Sequence, residues 1–94
     1  MAAKTCAWRE VPSAFTGFAE GRRWILYRNS DKREEVTIED NLEAPSRPFE
    51  IVGHDFVSGD IETIDDARTL QSAHRKVLRF IKRNPRGQYL GSCP

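Results

Sequence analysis

Between residues 63 and 84 the apolar positions recur with helical spacing. At about 100° per residue, Ala67, Leu70, His74, Val77, Leu78 and Ile81 fall on one side. Arg68, Arg75, Lys76, Arg79, Lys82 and Arg83 fall on the other. The pattern predicts one long two-faced helix. Thr63 reads as its N-cap, with Asp66 three residues on as the partner of a capping box. Asp65 and Asp66 suit the positive end of the helix dipole, and Lys82 and Arg83 the negative end. Pro85 stops the helix, because the residue before a proline is pushed out of the helical region.

Upstream the period changes from helical to alternating. Across residues 22–28, Trp24 and Leu26 point one way and Ile25 and Tyr27 the other, as in a strand. Residues 29–32, Asn-Ser-Asp-Lys, are turn chemistry. Residues 35–39 return with Val36 and Ile38 inward and Glu35, Thr37 and Glu39 outward, completing a hairpin. Residues 41–48 hold two prolines and read as a loop. Residues 49–57 read as a third strand, 58–60 as a turn, and 61–63 as a brief further pairing before the helix. Residues 4–11 alternate loosely enough for a short first strand that Pro12 ends. Residues 13–21 read as irregular, tucking Phe15 and Phe18 into the core.

The fold class these elements imply is α+β, an antiparallel sheet of three to four strands with one long C-terminal amphipathic helix packed on one face. Residues 1–94 form a single domain: 1–21 irregular, 22–63 sheet, 64–84 helix and 85–94 tail. Trp24, Leu26, Val36, Ile38, Phe49 and Ile51 supply the surface beneath the helix. Phe80 lies off the centre of the stripe, so it either meets the N-terminal segment or stays exposed as a contact. Tyr89 and Leu90 give the tail a little packing.

Hydrophobic residues at 38% and nine aromatics (two Trp, two Tyr, five Phe) argue for a folded chain despite its high charge. The longest apolar run, residues 24–27, is far short of a membrane span, and no membrane partner is expected. The N-terminus lacks the apolar stretch of a signal peptide, so the expected location is cytoplasmic. In that compartment Cys6 and Cys93 are expected as reduced thiols; a bridge would require the termini to meet.

Charge is distributed unevenly. Residues 1–28 hold five Lys/Arg against two Asp/Glu, +3. Residues 29–66 hold three against twelve, −9, and residues 67–94 hold seven against none, +7, within a net charge of +1. A chain with one acidic and one basic region can steer partners of either sign.

The basic helix side is therefore the leading candidate surface. Arg75, Lys76, Arg79, Lys82 and Arg83 are expected to carry partner binding, with aromatic support from Phe80 or Tyr27. The same row suits a nucleic-acid backbone, although the acidic middle segment would repel phosphate if it lay nearby. His74, on the apolar side, reads as a core-edge histidine bonded to a strand carbonyl or to Tyr27. His54 beside Asp55 is the one pairing with catalytic residue types. No Cys-x-x-Cys, His-x-x-x-His or nucleophile elbow accompanies it, so no catalytic residue, metal or cofactor is expected. Ile25, Tyr27, Val52 and Phe56 fall on the strand face away from the helix and, if uncovered, would form an apolar partner or dimer surface.

Residues 49–53 (Phe-Glu-Ile-Val-Gly), 58–60 (Ser-Gly-Asp) and 63–67 (Thr-Ile-Asp-Asp-Ala) resemble a pattern common in small phage and mobile-element proteins, where a short sheet ends in a turn and one helix closes the domain. Several anti-CRISPR proteins are similar in size and architecture, and the likeness covers about the last half of the chain. It implies a single-domain inhibitor, monomeric or homodimeric, that blocks a host nuclease or defence complex by binding it. Two nucleic-acid-binding folds also place three strands before a helix. The AP2 and integrase arm-binding type reads DNA with its sheet, which an acidic middle strand opposes. The double-stranded-RNA-binding type has a Lys-rich start to its last helix, where this chain has Asp65 and Asp66.

Overall fold

Alternating residues build a meander in which each strand pairs with the next. The computed structural model describes residues 6–12, 22–40, 43 and 45–88. The strands are β1 (Cys6–Pro12), β2 (Arg22–Arg28), β3 (Asp31–Asp40), β4 (Phe49–Asp55) and β5 (Ile61–Ala67), followed by one helix, α1 (Leu70–Arg83). They form a single five-stranded sheet in the order β1-β2-β3-β4-β5, antiparallel throughout. The fold is thus α+β with a C-terminal helix, but with five strands rather than three or four. Asn29, in the two-residue turn between β2 and β3, takes the left-handed conformation (φ 59°) that asparagine tolerates.

The register sets the two faces. Trp24 lies opposite Val36, Val36 opposite Gly53, Ile38 opposite Ile51, and Phe49 opposite Ala67. Trp24, Val36, Ile38, Ile51 and Ala67 form the core with Ala73 and Val77 of α1, and Trp8, Phe49, Ile64, Leu70, Phe80 and Ile81 pack around it. The helix lies on β3, β4 and β5. Its outer end reaches β1, where Trp8 Nε1 donates to the Asn84 carbonyl (2.8 Å) and the Phe80 ring meets the Trp8 ring edge-on at 6.2 Å. Phe80 therefore meets the N-terminal strand.

The helix begins later than its periodicity suggests. Thr63, Asp65 and Asp66 belong to β5, and the N-cap is Thr69, whose hydroxyl accepts from the Ser72 N–H (3.0 Å). The local signal at Thr63 loses to a non-local one. As a strand, residues 61–67 complete a ladder with β4 and send Ile64 and Ala67 into the core. Leu78 also departs from expectation: it is 49% exposed, because Ala73 and Val77 define the buried line and Leu78 sits a further 100° or so around the axis.

The polypeptide beyond the helix is held by a buried carboxylate. Glu34 is 1% exposed and its Oε1 accepts from the Gln88 N–H (3.0 Å). Gly87 passes over this group with φ 93°, and a Cβ there would lie 2.2 Å from Glu34 Oε2 and 2.8 Å from Leu26 Cδ2. Gln88 Nε2 then donates to Glu62 on β5 (2.6 Å).

Two other expectations change. Ile25 has no exposed surface although it points away from α1, and Tyr27 and Val52 are half-buried, so only Phe56 of the anticipated apolar patch is exposed. Cys6 is disulfide-bonded rather than a free thiol. Compartment governs the reducing power of the surroundings, not the geometry that brings two thiols together. The sequence has one other cysteine, Cys93, which lies outside the described residues, as do Phe15, Phe18, Tyr89 and Leu90. Among the described residues no helix is long and apolar enough to cross a membrane.

Replacing Thr69 with Ala should cost about 1 kcal/mol of unfolding free energy in urea titrations, and Thr63→Ala less than half of that. The opposite order would place the helix start at Thr63. Gly87→Ala should cost about 2 kcal/mol or more, since the substitution meets both a positive φ and a buried side chain.

Candidate functional site

With Ala73 and Val77 turned inward, the helical period leaves Arg75, Leu78, Arg79, Lys82 and Arg83 exposed. Leu78 lies three residues after Arg75 and four before Lys82, so the exposed ridge has an apolar centre between cations. None of Arg75, Arg79, Lys82 and Arg83 makes a hydrogen bond or ion pair with another described residue. The helix contains no carboxylate, and Lys82 and Arg83 suit the negative end of its dipole.

The remaining expected residues divide. Lys76 is half-buried and turned towards β5, its Nζ donating to the Asp66 carbonyl (2.6 Å) and lying 3.5 Å from Asp65 Oδ1. Phe80 is half-buried against Trp8. Tyr27 projects from the opposite face of the sheet, where the Arg9 guanidinium lies 5.6 Å from its ring centroid. It cannot join a surface built on α1.

Four carboxylates of the middle segment, Glu35, Glu39, Glu50 and Asp66, lie on that opposite face, while Glu34, Asp40, Asp55, Glu62 and Asp65 occupy positions on the helix side. Glu39, Glu50 and Asp66 sit directly across from one another on β3, β4 and β5. Like charges in this arrangement repel, and each is met by a donor. Thr37 Oγ1 donates to Glu39 (2.9 Å), Thr63 Oγ1 to Glu50, and Arg47 Nη1 to Asp66 (3.1 Å). Glu35 is paired with Arg23 (3.1 Å). The acidic row and the basic ridge therefore face apart, with the sheet between them.

A groove of about 270 Å³ runs between α1 and the last two strands. Ile51, Ile64 and Phe80 give it an apolar floor, and Lys76, Arg79 and Arg83 line its helical side. The periodicity of the chain could not show this site. It exists because β5 continues to Ala67 and carries Ile64 beneath the helix.

The histidines do not converge. His54 meets the Phe56 ring at 4.6 Å, inclined at 55°, on the far face, and His74 lies against Trp24 at 5.5 Å beneath the helix. Trp24, not Tyr27, is the neighbour of His74. Asp55 faces away from His54 and is 5% exposed, accepting from the Val57 N–H (2.9 Å) and the Ser58 hydroxyl (2.7 Å). It pins the β4–β5 turn. Burial opposes its ionisation, but the Ser58 and Val57 hydrogen bonds and the Arg33 charge outweigh this and hold its carboxyl below the usual 3.8.

The chain is thus a small antiparallel meander closed by a basic helix. No family model matches it, and no curated protein or solved structure matches it significantly.

Because the folded Asp55 carboxyl titrates below its ordinary value, its contribution to stability is full above about pH 4 and is lost as pH falls through the folded value. Asp55→Asn should cost about 1–2 kcal/mol at pH 7. The gap to the unaltered protein should narrow in chemical denaturation at pH 3. A gap that stays constant over this range would remove the charge from the account.

Proposed function

We propose that this chain is a non-enzymatic binding protein that docks the basic outer surface of α1 onto an acidic surface of a protein partner. The observation carrying this reading is the ridge of Arg75, Arg79, Lys82 and Arg83 around exposed Leu78, with none of the four cations used inside the fold. An apolar centre ringed by charge suits a protein surface, where desolvated centres carry most of the binding energy. The resemblance to anti-CRISPR proteins makes occlusion of a host nuclease or defence complex in the cytoplasm the specific form of this reading. The disulfide at Cys6 stands against that compartment and in favour of an oxidising one.

A second reading, phosphate binding by the same ridge, gains from the separation of charge. The Glu39, Glu50 and Asp66 row lies behind the sheet and does not confront a polyanion approaching α1. Four phosphate contacts would give a salt slope of about −4.

Anisotropy titrations with labelled polyglutamate, a DNA duplex and a single-stranded RNA separate the readings. The protein reading expects polyglutamate to compete at physiological salt and both nucleic acids to dissociate. The phosphate reading expects the reverse, with the steeper slope. Arg75→Glu, Arg79→Glu and Arg83→Glu together should weaken polyglutamate binding by about a hundredfold or more while leaving the circular dichroism spectrum unchanged. Unchanged affinity in that variant would show the ridge to be a solvated surface and no more.

A further inference from the structure

We propose that the groove between α1 and β5 binds an extended peptide segment of a partner, which adds to the sheet beside β5 and directs one apolar and two acidic side chains under the helix. This rests on the reading of α1 as the partner-facing element, and names what the partner presents.

β5 is the last strand in the sheet order, so one of its edges has no neighbouring strand among the described residues. A free edge accepts an added strand through main-chain hydrogen bonds, with alternate side chains supplying selectivity. At Asp66 both main-chain groups are already taken, the N–H by Asp65 Oδ1 (2.8 Å) and the carbonyl by Lys76 Nζ (2.6 Å), so the added strand pairs along residues 61–64. The register shift between Ile51 and Val52 leaves Ile64 as the extra residue of β5, and it packs against the core beneath the groove. A strand laid beside β5 therefore turns side chains towards Ile64 and Phe80, while Ile51, one strand further in, stays buried.

The charges select among such strands. The two β5 carboxylates nearest the groove already have partners: Asp65 lies by Lys76 Nζ (3.5 Å), and Glu62 accepts from Gln88 Nε2 (2.6 Å). Arg79 and Arg83 have no partner among the described residues. They are four residues apart, a rise of about 6 Å along the helix. Side chains on one face of an extended strand repeat every 6.6 Å or so. Carboxylates two residues apart on the incoming segment match the two guanidinium groups, and an apolar residue two further on reaches Ile64 and Phe80. A phosphate backbone offers acceptors but not the alternating N–H donors and C=O acceptors that extend a sheet, so this site belongs to the protein reading alone.

The test uses the blocked heptapeptide Leu-Thr-Glu-Thr-Glu-Thr-Leu, which offers the pattern in either direction, titrated into the ¹⁵N-labelled protein. The expected result is perturbation of amides 61–67 with those of residues 79–83. Slowed hydrogen exchange should appear at outward amides of β5. Arg79→Glu with Arg83→Glu should weaken binding at least about tenfold, and replacing both leucines of the peptide with serine should do the same. Arg75→Glu with Lys82→Glu, outside the groove, should weaken polyglutamate binding by a larger factor than heptapeptide binding, the reverse of the Arg79/Arg83 variant. Absence of any β5 perturbation at millimolar peptide overturns the proposal, as does equal affinity in the Arg79/Arg83 variant. Perturbation confined to the outer ridge overturns the groove while leaving the charge reading standing.

Discussion

The seating of α1 on the sheet is the contact on which the rest depends. Ala73 and Val77 have no exposed surface, and they rest on Trp24, Val36, Ile38 and Ile51. Burying a valine side chain is worth about 1.5–3 kcal/mol, and an alanine methyl less. More than the energy, this contact fixes the rotation of the helix about its axis. Once Ala73 and Val77 point inward, Arg75, Arg79, Lys82 and Arg83 have nowhere to go but solvent, and Leu78 is carried out among them. The hydrogen bond from Trp8 to Asn84 and the edge-on contact of Trp8 with Phe80 then anchor the far end on β1. The first strand and the end of the last helix are thereby joined across the whole sheet.

The same arrangement explains how a nearly neutral chain keeps the cations of α1 apart from the Glu39, Glu50 and Asp66 row. Strand alternation sends Val36, Ile38 and Ile51 towards the helix, so Glu39 and Glu50 go to the other side. The two faces do not neutralise one another. Of the carboxylates on the helix side, Glu34 and Asp55 are buried and serve structure, one holding the backbone at Gln88 and the other the β4–β5 turn, while Asp65 lies by Lys76 and Glu62 accepts from Gln88. The helix itself carries no carboxylate, so its outer surface is positive.

Much of this was legible in the residues. The β2–β3 hairpin follows from the alternation of Trp24 to Tyr27 and of Glu35 to Glu39 about a turn at Asn29, and the body of the helix follows from Leu70, Ala73, Val77 and Ile81. The cationic row was legible for the same reason, since a helical period determines which residues share a side. The start of the helix was not. Thr63 to Asp66 carries good local capping chemistry, and only pairing with residues 49–55 turns that segment into a strand. The groove was hidden for the same reason, because it depends on segments distant in sequence. Tyr27 lies on the far face, as alternation from Trp24 requires, and so stands apart from any surface on α1.

Paramagnetic broadening of amide signals by small charged nitroxides tests the central claim, that α1 and the far face carry opposite potentials, without any partner. The account predicts that an anionic nitroxide broadens residues 75–83 more than a neutral one does. A cationic nitroxide should broaden Glu39, Glu50 and their neighbours. Both effects should fade as salt rises and the charges are screened. Equal broadening of the two faces by either probe would show that the charges neutralise one another and would contradict a basic docking surface on the helix.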